Sequence, residues 1–138
     1  MALTDYSDLE KEILNAPEPK VLPAGSEVKA RIIAIRSGVS DKNDCNWKQP
    51  VFDVPADPMV IEFNDFFWDL VDRDKLDPKS VQRGIYKFGQ LVKCFGIDLS
   101  RPIDWEQFIG LEGWVILGVK KSDEYGDGNT VKKYIIKK

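Results

Sequence analysis

The chain carries four Trp, four Tyr and seven Phe among 138 residues, and several of these rings stand one or two positions from a lysine or arginine. Sequence-tolerant binding of single-stranded nucleic acid requires that mixture: flat rings on which bases stack, and cations that track phosphates. Alternation along candidate strands turns Trp47, Phe52, Phe63, Phe67, Trp68, Trp114, Tyr125 and Tyr134 outward or into loops. Lys29, Arg31 and Lys132 read outward as well, and Arg36, Lys42 and Lys48 surround a polar loop. The competing reading is plain packing, because large rings are most often core. Phe63, Phe66, Phe88 and Phe95 fit that reading best, and Trp47 serves equally well as an exposed loop ring or a packing lid. The candidate nucleic-acid-binding set is Lys29, Arg31, Arg36, Lys42, Trp47, Lys48, Phe52, Phe63, Trp114, Tyr125, Lys132 and Tyr134.

Other chemistries find less support. Asp65, Asp69, Asp72, Asp74 and Asp77 crowd one short stretch and invite a metal-dependent nuclease. Their spacing matches no calcium loop and no helix gathers them on one face, so caps and solvated turns explain them better. Gly110, Gly113, Gly126 and Gly128 form no phosphate loop and read as turn punctuation. The chain has no histidine, which removes imidazole acid–base catalysis, Ser-His and Cys-His dyads and His-containing zinc sites. Cys45 and Cys94 lie far apart without paired partners, so they make no Cys-rich metal site and read as reduced, Cys94 as a buried structural thiol. No catalytic residue, metal or cofactor is expected.

The length suggests one domain, and 43% hydrophobic with 31% charged residues is ordinary for a globular protein. A net charge of −3 does not announce nucleic acid. The charge is uneven, however: residues 120–138 hold six lysines against three acids, and 65–77 five aspartates against two basic residues. A basic groove on an acidic protein is compatible with that asymmetry. No apolar run approaches the roughly 18 residues of a membrane span. Residues 1–14 are polar and acidic, unlike a signal peptide, so a cytosolic location is expected.

The elements that must position these groups can be read in order. Residues 1–20 form an appendage, with Thr4 or Asp5 capping a short helix that ends before Pro17 and Pro19. The domain proper occupies 21–138. Its first strand, 26–36, alternates until Ile32 and Ile33 fall side by side, the phase slip of a β-bulge. Strand two is 47–54, with Pro50 arguing for an edge or a strand start, and strand three is 59–67. A helix follows from Pro78, capped by Asp77 and stopped by Gly96. Val81, Ile85, Phe88, Val92 and Phe95 make its apolar stripe, and Gly84 and Gly89 read as points of close helix–barrel packing. A helical turn at 105–109, strand four at 114–120, a hairpin turn at 125–129 and strand five at 131–136 complete the chain. Three strands, one helix, then two strands is the order of a mainly β OB-fold: a five-stranded Greek-key barrel with its helix between strands three and four.

Four segments carry a resemblance: LPAGSEVKARIIAI at 22–35, PVFDVPADPMVIEFNDFFW at 50–68, FGQLVKCFGID at 88–98 and FIGLEGWVILGVKKSDEYGDGNTVKKYI at 108–135. Together they resemble the small OB-fold single-stranded DNA-binding proteins of tailed bacteriophages. The resemblance implies non-enzymatic binding of single-stranded DNA with little sequence preference, during phage replication or recombination. It implies the cytoplasm of an infected bacterial host, and phage or host replication and recombination proteins as partners. A homo-oligomer is compatible with it; a membrane partner is not implied. By position, the matching face would comprise Lys29, Arg31, Trp47, Lys48, Phe52, Phe63 and Lys132. Many single-strand binders end in an acidic recruiting tail, whereas this sequence ends Ile-Ile-Lys-Lys. Recruitment would then be lacking or fall to the acidic N-terminus, unless the sequence is truncated. The rival reading is a protein–protein adaptor on the same barrel, which the net charge favours; the nuclease is third.

Overall fold

The computed structural model describes residues 2–136 and contains six strands, β1 (Glu27–Val39), β2 (Asn46–Asp53), β3 (Phe63–Asn64), β4 (Phe67–Trp68), β5 (Glu112–Lys120) and β6 (Gly128–Tyr134). It has two α-helices, a short α1 (Glu10–Leu14) and the long α2 (Pro78–Phe95) between β4 and β5. The fold is mainly β. One antiparallel sheet runs β3-β2-β1-β5-β6, with β4 also paired to β2. The sheet is strongly curled, because β3 and β6 stand at opposite ends of that order yet pack beside each other.

The bulge forms where the phase slip predicts it. Ile32 lies opposite Phe52 and Ala34 opposite Val51, which leaves Ile33 as the extra residue. A second irregularity between β5 and β6 leaves Lys132 unpaired in register. Strand three differs from expectation. It divides into β3 and β4 at Asp65, whose carboxylate accepts the Phe66 amide at 2.9 Å. Upstream, Val60 makes only an isolated parallel bridge with Lys20. Lys20 also reaches Asp57 at 2.7 Å, and this pairing holds the Asp57 carboxyl below its usual range.

The caps of α2 follow the sequence. The Asp77 carboxylate accepts the Ser80 amide, Pro78 begins the helix, and Gly96 ends it at a left-handed φ of 70°. Its buried face is rotated from the expected stripe. Leu91 and Phe95 enter the core and Phe88 packs against it, while Ile85 is 54% exposed. The glycine of close approach is also elsewhere. A Cβ on Gly89 would meet nothing, and one on Gly84 would come 3.2 Å from Leu70, whereas one on Gly113 of β5 would stand 2.8 Å from the Cys94 sulfur. The end of α2 therefore lies directly on the sheet at Gly113.

Ala30, Ile32, Phe52, Phe63, Phe67, Leu91, Phe95, Val115, Leu117 and Tyr134 form the core. Asn129, expected as a turn residue, is a buried clamp. Its side chain accepts the Leu22 amide and donates to the Leu22 and Gly118 carbonyls, which ties the start of the domain to the β5–β6 hairpin. Cys45 and Cys94 are free thiols, and burial pushes both up in pKa. The appendage folds as a 3-10 turn at Ser7–Leu9 followed by α1, with none of its described residues buried. Lys137 and Lys138, counted in the basic C-terminal stretch, lie outside the described residues. No helix among the described residues is long and apolar enough to cross a membrane.

Candidate nucleic-acid interface

Cross-strand register sorts the rings of β2. Trp47 lies opposite Gly38 on β1 and Trp68 on β4, so these positions share the outer face. Lys48 and Phe52 take the other parity, opposite Phe67 and Phe63 respectively. Phe52 is 0% exposed and its ring lies 5.5 Å from Phe63 and 5.9 Å from Phe95. Phe52, Phe63 and Tyr134 are therefore core rings and offer no face to a base; the same correction applies to Phe67.

The outer face carries instead a cluster of Trp47, Phe66 and Trp68. The Trp47 and Phe66 centroids are 5.7 Å apart, and Phe66 meets Trp68 edge to face at 4.9 Å. Phe66, expected in the core, is 37% exposed. The missed signal was parity: Phe66 and Phe67 are adjacent, so only one can point inward, and Phe66 shares its side with Trp68.

The seat of each ring is specific. Gly38 leaves room for the Trp47 indole, since a Cβ there would stand 2.4 Å from the six-membered ring. Phe66 hangs from a polar hub at Asp65. One Asp65 oxygen pairs with Lys87 of α2 at 2.7 Å, and the other accepts the Tyr134 hydroxyl at 2.6 Å. The Lys87 ammonium also donates to the Phe66 carbonyl. The corner that presents Phe66 is thus held from both the helix and the last strand.

This cluster borders a groove of about 510 Å³ between β3 and the β5–β6 hairpin. Phe66 lines it with Gln49, Asn64, Lys120 and Tyr125. The Gln49 amide donates to the Asn64 side chain at 3.1 Å. Gln49 also lies opposite Arg36, which brings that cation to the outer face, and among the described residues Arg36 forms no ion pair. Glu62 and Asp127 lie in the same groove, so its charge is mixed.

Of the expected set, Trp47, Arg36 and Tyr125 come to this region, with Lys42 exposed on the loop between β1 and β2. Lys48 faces away from Trp47. Lys29 and Trp114 lie opposite each other on the β1–β5 pair and do not line the groove, and Lys29 approaches Glu112 at 3.7 Å. Arg31 makes a two-pronged pair with Asp53, at 3.1 and 2.6 Å, whose hydrogen bonds and charge raise its pKa. Its charge is committed to that carboxylate. Lys132 is exposed at the β6 irregularity.

Four of the five aspartates of 65–77 have structural partners. Asp69 and Asp77 cap helical turns. Asp72 accepts the Asn46 amide at 2.8 Å and its side chain at 2.7 Å, which lowers its pKa and anchors the start of β2. No three metal-binding side chains converge among the described residues.

Two substitutions probe these seats. Gly38→Ala is expected to displace the Trp47 indole, seen as a shift in tryptophan emission with little loss of melting temperature, because the collision is with one surface ring. Tyr134→Phe tests the hub. Burial, then the Asp65 charge and hydrogen bond, raise the Tyr134 pKa well above the usual tyrosine value. The unfolded chain loses that proton near pH 10, whereas the folded protein keeps it, so stability falls as pH rises beyond about 10. Tyr134→Phe is expected to cost about 1.5–3 kcal/mol at neutral pH and to flatten that alkaline decline, read from urea midpoints across the range.

Comparison of the chain with protein-family models finds no match, and comparison with curated proteins finds none either.

Proposed function

We propose that the protein binds single-stranded DNA with little sequence preference, laying bases across Trp47, Phe66 and Trp68 and into the groove beside them. The single observation that carries this reading is the ring cluster. Three large rings occupy adjacent outer positions, two of them on the shared β2–β4 register, and one lines a groove. Stacking supplies about 1–3 kcal/mol per base without reading sequence. Arg36 and Lys120 add salt-dependent attraction to phosphates.

The fold we infer for this purpose is an OB-type barrel in which β3 and β4 together make the third of five barrel strands. β1 pairs with both β2 and β5, α2 connects the third strand to the fourth, and β3 approaches β6 without a hydrogen-bonded ladder. A partly open barrel of this kind uses its strand face and flanking loops for oligonucleotides. The proposed setting is bacteriophage DNA replication or recombination in the host cytoplasm, alongside other replication proteins, without enzymatic turnover.

Glu62 and Asp127 in the groove favour one other reading, an adaptor whose groove takes a basic peptide. Fluorescence anisotropy of labelled oligo-dT against a duplex of equal length separates the two. Single-strand binding that weakens with salt, with the duplex much poorer, supports the proposal. No binding at low salt overturns it in favour of the adaptor.

A further inference from the structure

Phe66 borders two depressions. The second, of about 200 Å³, shares Phe66 with the hairpin groove and lies against the first half of α2. Phe66 and Trp68 wall it from the sheet, and Ser80, Arg83, Gly84 and Lys87 wall it from the helix. It is smaller than the roughly 300–1,000 Å³ of sites for drug-sized ligands, and suits a single ring system with one charged group.

Charge distinguishes the two depressions. The hairpin groove mixes Lys120 with Glu62, Asp65 and Asp127. Helix α2 carries Lys79, Arg83, Lys87 and Lys93 with no acidic residue between 78 and 95. Lys87 is already committed to Asp65 and to the Phe66 carbonyl. Asp77, which touches the lining through Ser80, is committed to that residue's amide and hydroxyl. Arg83 is exposed and has no ion pair among the described residues. A guanidinium in this position can take a phosphate with two parallel hydrogen bonds.

We propose that a bound single strand continues past Phe66 onto α2, where one nucleotide lies against Phe66 and Trp68 and Arg83 holds its phosphodiester. This rests on the single-strand reading above. The strand would pass from a groove of mixed charge to a helix surface without acidic residues, with Phe66 shared by both.

The test compares wild-type protein with Arg83→Ala and Lys93→Ala, using anisotropy of short and long oligo-dT over a range of salt. Lys93 is exposed on the same helix but does not line the depression. The proposal expects Arg83→Ala to melt like wild type and to bind long oligo-dT several-fold more weakly. Its log–log salt slope should be shallower by about 0.7, the value of one phosphate contact on a single strand. The shortest bound oligomer and Lys93→Ala should be unaffected. Unchanged affinity and slope for Arg83→Ala, with wild type binding well, overturns the α2 site and leaves the groove reading standing. Equal losses for both variants also overturn it, since they indicate diffuse attraction to the helix. Wild-type protein that binds no oligo-dT overturns both readings at once.

Discussion

Phe52→Ala is expected to lower folding stability by about 3–5 kcal/mol, read as a shift of the urea midpoint at constant slope. The ring is fully buried, at the junction of β2 with Phe63 on β3 and Phe95 on α2. Removing it empties space shared by sheet and helix, and neither can collapse inward without leaving its register with the other. Most single domains have only about 5–15 kcal/mol in total, so a large part of the margin goes with one side chain. The expected pattern on oligo-dT is just as specific. Under conditions where the variant remains folded, its affinity stays near wild type, because the ring touches no outer surface. A folded Phe52→Ala that had lost binding while keeping its midpoint would return Phe52 to the stacking face.

Phe66→Ala is expected to do the reverse. Stability should change little, because the ring is partly exposed and rests on surface neighbours. On the proposed single-strand reading, affinity for oligo-dT should fall by about 1–3 kcal/mol, roughly five- to 150-fold, with the loss of one stacking ring. The salt slope should hold, since no cation is removed. A slope that changed with Phe66→Ala would mean that the corner at Asp65 had moved and carried Lys87 with it. Trp47→Ala should behave like Phe66→Ala, and the double variant should lose less than the sum, because the rings touch.

The contrast between these two phenylalanines marks what the sequence could and could not reveal. Elements governed by neighbours along the chain were legible. The Asp77 and Gly96 caps follow from local chemistry, and the Ile32–Ile33 slip follows from counting faces. Parity was equally available for the rings. Trp47 and Phe52 are five apart on a strand without an irregularity between them, so they cannot share a face. Applying that rule along β2 would have moved Phe52 and Lys48 off the candidate face. The break at Asp65 was not legible, because it depends on Tyr134 and Lys87, which are distant in sequence. The rotation of α2 was hidden for the same reason: Leu91 and Ile85 are equally apolar, and only the position of the sheet decides which is covered. The pairing of Arg31 with Asp53 likewise required the β1–β2 register.

The absent side chain at Gly38 has a consequence for how tightly a flexible ligand can be held. With the indole resting against bare backbone and flanked by Phe66, Trp47 is held on two sides in the folded protein. Immobilising a side chain of this kind at the moment of association would otherwise cost about 0.5–1.5 kcal/mol. In the complex proposed above, the preorganised ring would leave the ordering entropy at this position to the bound strand alone, and a single missing methyl group on the neighbouring strand sets that division.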